Sequence, residues 1–277
     1  MLKRLNHPLL GSMLLSLLCC SSTALLATET AGLERRPLES ESRSARTPEG
    51  IAPLAIGAVS HLLLPTSANA NGQFGSVYKT KVSIFNAVNT SYDVRVGLSD
   101  RTGEIAHTFV SLAPGQTLTF NNILADLFGY NGGGAIDLDS RNNANLFIVN
   151  SQVYVDSSGG RYTTAVQFAD DLGAITPSRP GFVVGISVNS LRRTNVGCAS
   201  NTSLTQTISF QGFDANNFAV GSPLTFNLAG FGWDQFGANF LVTNGGIRIT
   251  TTGNAVCYAV EVDNTSNDGT FQLATPF

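Results

Sequence analysis

Residues able to do chemistry are sparse in this chain. Among 277 residues it carries three histidines (His7, His61 and His107) and four cysteines (Cys19, Cys20, Cys198 and Cys257). A hydrolase with a nucleophile elbow needs G-x-S-x-G to raise its serine, and the sequence has none. Other acyl-transfer routes commonly want a histidine base beside the nucleophile. His61 and His107 fall in β-type runs at unrelated places, and both read as strand-surface or edge residues. H-E-x-x-H is absent, and the scattered histidines and cysteines have no zinc spacing. Asp137-Leu138-Asp139-Ser140-Arg141-Asn142 begins like a calcium loop. Arg141 stands where an oxygen ligand belongs, and no glycine follows it. Asp263-Asn264 with Asn267-Asp268-Gly269 is a second oxygen-rich stretch. Both read as hairpin turns, because Asn, Asp and Gly accept positive φ. Gly132-Gly133-Gly134 and Gly230-Phe231-Gly232 lack the G-K-[ST] and the long helix of a phosphate cradle, and read as turns or bulges. The expectation is therefore no catalytic residue, no metal and no cofactor.

Binding chemistry has a few more candidates. Trp233 is the single tryptophan, with Phe231 and Phe236 beside it. In an extended stretch Phe231 and Trp233 share a face, which is a stacking platform if it points outward and core if it points inward; core is the expectation. N-x-[ST] occurs at Asn89, Asn201 and Asn264, and these read as turns. Cys198 and Cys257 are the pair left once the N-terminal segment is removed. Export favours a bond between them. Strand parity opposes it: Cys198 shares a face with Val196, whereas Cys257 alternates against the core-like Val256 and Tyr258. The pair is a candidate disulfide, with bonded and free forms both open.

The elements that position these residues are short strands. Val82 and Ile84 alternate with Lys81 and Ser83, the period of a half-buried strand. Val94, Val96 and Leu98 do the same, as do Ile136 and Leu138, and then Phe147, Val149, Ser151, Val153 and Val155. Only Asn122 to Phe128 reads as helix, at about two turns. The pattern then repeats. Lys79–Val82 (KTKV) matches Arg193–Val196 (RTNV), and NTS recurs at Asn89 and Asn201. Leu118–Asn121 equals Leu224–Asn227 (LTFN). Asn131–Gly133 matches Asn244–Gly246, Val153–Asp156 (VYVD) matches Val260–Asp263 (VEVD), and Phe168 matches Phe277. Units of about this size with short, evenly spaced strands suit β-sandwiches. The predicted fold is all-β: two tandem antiparallel β-sandwich domains, residues 58–169 and 181–277, each with a short helical piece and joined by a polar, Pro-flanked linker at 170–180.

RTNVG from Arg193, LAPGQTLTFNNILADLFG from Leu112 and VEVDN from Val260 resemble duplicated modules of secreted bacterial proteins of unknown function. Those modules are similar in pattern to the sensory-rhodopsin-transducer type of β-sandwich. The resemblance covers nearly all of residues 59–277. It implies the fold and an export route, and it brings no catalytic residues. Gly230, Gly232 and Gly237 depart from its helical piece in the second copy.

The N-terminus reads as an address. Lys3 and Arg4 precede an apolar run, Leu9–Leu18, and small residues follow, so residues 1–27 form a signal peptide. Leu18 before Cys19 does not make a lipobox. Residues 28–57 open with charged Arg and Glu among Ser, Thr and Pro and are expected to be a disordered linker. Ile51–Leu64 is too short and broken to span a bilayer, and Val59–Leu64 is expected to open the first strand. Charged residues are only 13% and net charge is −3, so there is no basic footprint for nucleic acid. An outer-membrane barrel is disfavoured because few runs reach the needed strand length. The expected protein is exported, secreted or periplasmic or at a bacterial cell surface. It is expected to be non-catalytic, an interaction or structural module for an unknown protein or glycan, with no membrane span in the mature chain. The alternative is a carbohydrate-binding module using loops or the groove between domains.

Overall fold

In the computed structural model, residues 61–72, 75–142, 144–157, 160–170 and 173–277 are described. The signal peptide, the 28–57 linker and the strand start at Val59 lie outside the described residues. The structure is nearly all β, with 66% strand and 4% helix. Among the described residues no helix is long and apolar enough to cross a membrane. The described residues belong to one compact unit.

The first half holds β1 (His61–Asn71), β2 (Val77–Asn86), β3 (Tyr92–Asp100), β4 (Gly103–Leu112) and β5 (Thr117–Phe120). These are followed by α1 (Ile123–Phe128), β6 (Gly132–Asp139), β7 (Phe147–Ser157) and β8 (Gly160–Ala165). All pairings are antiparallel, in the order β4-β3-β6-β1-β2-β7-β8, with β5 on β2. β1 lies along β6 from His61 to Asn69 and also pairs its last residues, Asn69–Asn71, with β2. A register shift between Leu64 and Ser67 bends it there, and a bulge of this kind is how a strand changes direction. The alternating residues predicted to face inward do so: Val82, Ile84, Val94, Val96, Leu98, Ile136 and Leu138 form one buried core, together with Leu64 of β1 and Ile123 and Leu124 of α1. α1 stops at Gly129, whose φ of 59° makes the left-handed cap that ends helices.

The second half holds β9 (Gly181–Val188), β10 (Arg192–Ser200), β11 (Gln206–Phe213), β12 (Ala219–Leu228) and β13 (Trp233–Gly237). Then come β14 (Val242–Thr251), β15 (Ala255–Asp263), β16 (Gly269–Leu273) and β17 (Thr275–Pro276). Its two sheets run β12-β11-β14-β9-β17 and β13-β10-β15-β16. Strand for strand, these orders repeat β4-β3-β6-β1 and β5-β2-β7-β8. Val196, Cys198, Cys257 and Ala259 from one sheet meet Ile208, Phe210, Ile247 and Ile249 from the other in a second core.

Four details of the sequence reading change. Leu118–Phe120 is β5 but Leu224–Asn227 lies in β12, so the LTFN identity joins strands that are not counterparts. The VYVD and VEVD match aligns opposite faces. Val153 packs on the first core, whereas Ala259, not Val260, faces the second. A slip of one residue inverts every side chain. The second half has no helical piece among its described residues; β13 stands in its place. Gly230, Gly232 and Gly237 withdraw helix propensity there, and Phe231 takes φ of 51° in the turn. Finally, the 170–180 segment is not wholly a solvated linker. Ala174 and Ile175 are buried, and Ile175 belongs to the second core. A third apolar cluster joins the halves: Leu63, Ala135, Ala169 and Ala174 pack with Ala199 and Val256, beside Trp233 and Leu273.

Candidate functional site

Trp233 opens β13 and is half-buried, pressed between the halves rather than presented as a platform. Its ring lies on Gly133 of β6, where an added Cβ would come 2.6 Å from the ring edge. Its Nε1 donates to Tyr258 Oη at 3.0 Å, and Tyr258 Oη donates to Gln235 Oε1 at 2.9 Å. Tyr258 is fully buried, and burial pushes its hydroxyl well above the ordinary tyrosine value; hydrogen bonds from Thr66 and Trp233 oppose this only in part. Gly197 makes room for that hydroxyl, since a Cβ there would stand 2.4 Å from Tyr258 Oη. Phe231, which an extended chain would put on Trp233's face, is instead 49% exposed in the preceding turn.

Beside this chain of hydrogen bonds lies a cleft of about 400 Å³ between the halves. β1, β2, β7 and β8 supply one wall with Thr66, Tyr78, Tyr154 and Tyr162. The other comes from β10, β13, β15 and β16, with Asn195, Trp233, Gln235, Val260 and Phe271. Its charged lining is Arg193 and Asp268, and Asp268 Oδ1 accepts the Gly269 N–H at 2.9 Å. Arg193 spans Asn264 Oδ1 and Asn267 Oδ1, both at 2.9 Å, and so fixes the turn after β15 to the cleft floor. Tyr78 Oη donates to Asn267 O at 3.4 Å, and Thr164 Oγ1 donates to Gly269 O, tying the same turn to the first half. Arg161 sits 4.2 Å above the Tyr154 ring and holds the Asp156 carboxyl below the usual carboxylate range.

The oxygen-rich stretches are turns. Asp263 Oδ1 accepts the Ser266 and Thr265 N–H groups, at 3.0 and 2.8 Å, and these bonds hold its carboxyl low. Asn267 has φ of 60° and Arg141 φ of 54°, with Arg141 N–H on Asp139 Oδ1 at 2.7 Å. Among the described residues no cluster of three His, Cys, Asp or Glu could hold a metal. Cys198 and Cys257 are bonded and directly opposed across β10 and β15. Both sulfurs lie in the second core. The parity objection dissolves because β15 is buried on both faces from Ala255 to Ala259. Val256 and Tyr258 face the first half, and Cys257 faces the second core.

The two histidines, unrelated in sequence, meet through acids and an arginine that sequence reading did not single out. His61 Nε2 pairs with Asp137; Asp137 accepts from Arg95 at 2.8 Å; Arg95 also reaches Glu104, whose Oε1 lies 3.1 Å from His107 Nδ1. The ladder crosses β1, β6, β3 and β4, one residue per strand except on β4, so only the sheet order reveals it. Arg95 stands between the two acids and ties β3 to β6 and β4, which makes the ladder a surface clamp. No protein-family model matches the chain, and no curated protein matches it.

Proposed function

We propose that this is an exported, non-catalytic binding module of two tandem β-sandwiches, and that a glycan at the bacterial cell surface binds in the cleft between them. The cleft carries the reading. It offers aromatic faces from Tyr78 and Tyr162 together with amides from Asn195 and Gln235, with Trp233 packed at its border, and its arginine is committed to a turn. A neutral saccharide presents apolar C–H faces and many hydroxyls, which such a lining complements. A concave seat of about 400 Å³ suits a small ligand better than a folded protein partner, which needs roughly 1,200–2,000 Å² of buried surface. The N-terminal signal pattern supports export, and so does a disulfide, which persists on the oxidising side of a membrane.

Trp233 is the only tryptophan and borders the cleft, so its fluorescence reports occupancy directly. Titration with a panel of neutral oligosaccharides is expected to shift its emission for at least one member, and Asn195→Ala is expected to weaken that response tenfold or more. A folded protein whose emission no saccharide moves at millimolar concentration, and which leaves a glycan array blank, would overturn the reading.

A further inference from the structure

The direction of one hydrogen-bond chain fixes what the cleft asks of its ligand. An indole N–H can only donate, so Trp233 Nε1 gives its hydrogen to Tyr258 Oη at 3.0 Å. Thr66 gives a second hydrogen bond to the same oxygen. The one phenolic hydrogen is then spent on Gln235, whose Oε1 accepts it at 2.9 Å. The two ends of an amide have nearly the same shape, and the surrounding network decides between them. Here both lone pairs of the hydroxyl are taken, so Gln235 cannot turn its NH2 toward Tyr258. Its oxygen is held there, and its NH2 is the end left for the cleft that Gln235 lines.

Strand register sets a second amide beside it. Gln235 stands opposite Gly197, and Asn195 stands opposite Gly237. The two amide side chains therefore lie diagonally on adjacent strands, within reach of one small group, and both line the cleft. Beyond its chain neighbours, a Cβ on Gly237 would first meet Asn195 Oδ1, at 4.0 Å, so the floor beside that oxygen is open. On its other side Asn195 stands opposite Val260, and Val260 stands opposite Phe271. Both apolar residues line the cleft as well. One row across β13, β10, β15 and β16 thus reads glycine, amide, aliphatic, aromatic.

On the reading of this cleft as a saccharide seat, we propose that the sugar it selects carries an acetamido group, with Gln235 as the residue that sets the preference and Asn195 as its partner. A secondary amide holds one acceptor and one donor at opposite ends of a rigid plane. Its carbonyl accepts from the Gln235 NH2, its N–H donates to Asn195 Oδ1, and its methyl rests on Val260 and Phe271. A hydroxyl in the same place reaches one amide and leaves the apolar strip bare. Tyr258 and Trp233 are positioning residues in this scheme, since they act by aiming Gln235.

Chitotriose and cellotriose test this, because they share ring, linkage and length and differ by the acetamido group on one carbon of each ring. Followed by Trp233 emission on the full chain, chitotriose is expected to bind at least about tenfold tighter. The same amide-to-acid change is expected to act oppositely at the two positions. Gln235→Glu keeps the oxygen that Tyr258 needs but loses the NH2, and should weaken chitotriose about tenfold or more while moving cellotriose less than about threefold. Asn195→Asp keeps the acceptor, and should hold chitotriose within about threefold. Chitotriose that binds no tighter than cellotriose overturns the acetamido preference. The wider oligosaccharide panel then separates the two readings: a response to another sugar keeps the saccharide seat, and silence removes it too. Loss of chitotriose binding in both variants, or in neither, also overturns the assignment. So does N-acetyl-trialanine amide binding as tightly as chitotriose, which would place a peptide in the cleft.

Discussion

Tyr258 is the residue on which the two halves turn. It is fully buried, and its hydroxyl takes the Trp233 N–H and gives to Gln235. The proton is bound more tightly in the folded chain than in the unfolded one, because burial disfavours the phenolate. Its contribution to stability is therefore complete below the ordinary tyrosine value and is lost as pH rises past that value toward the folded one. In an alkaline absorbance titration, the last of the six tyrosines is expected to ionise only as the protein unfolds, and Tyr258→Phe is expected to abolish that last step. The same variant leaves the Trp233 donor unsatisfied and should cost about 1–3 kcal/mol in denaturant melts. Sequence periodicity marks Tyr258 as buried and Trp233 as packed. Their hydrogen bond joins residues on β13 and β15, which flank β10 from opposite sides, and the need for Gly197 and Gly133 beside them comes from tertiary packing. No local pattern announces either.

β10 and β15 show what a strand pair does when both of its faces are covered. The run AVCYA at Ala255–Ala259 is buried throughout, the continuous signature of a strand with no solvent side. That is why alternation misleads at Cys257. In the first half the counterpart strands β2 and β7 carry no cysteine, and Ile84 stands opposite Val149 there. The bond closes a separation of 59 residues, for which chain entropy gives about 4 kcal/mol. A Cys198→Ala/Cys257→Ala variant is expected to lose most of that in thermal or denaturant unfolding. Reductant at neutral pH should leave the native bond intact until the protein opens, since both cysteines are 0–1% exposed. Thiol labelling followed by mass measurement reads this, and rapid labelling of the folded, reduced protein would contradict it.

At the scale of the molecule, the repeated strand order was legible in part: KTKV lies in β2 and RTNV in β10, while NGG straddles the start of β6 and lies inside β14. Its boundary was less legible. Polar residues and prolines flank Ala174 and Ile175, which suggest a linker, yet Ile175 is fully buried in the second core. A second half begun at Gly173 keeps that side chain, and one begun at Ser178 loses it. The longer piece is expected to be more stable by about 2–5 kcal/mol, the cost of deleting a buried isoleucine. Equal melting temperatures for the two pieces would show that Ile175 fills nothing essential.

The halves do not mate like to like. In the first, β1, β3 and β6 of one sheet meet β10, β13 and β15 of the second, which are counterparts of β2, β5 and β7. Joining by unlike surfaces has no symmetry to close it, and repetition of the same rule would lay unit upon unit into a filament. The sheet β12-β11-β14-β9 is the face on which a third unit would settle. There Arg248 precedes Ile249 and is exposed, at the place where Ala135 precedes Ile136 and is buried against the neighbour. An exposed guanidinium there is unlike the buried alanine with which β6 meets its neighbour.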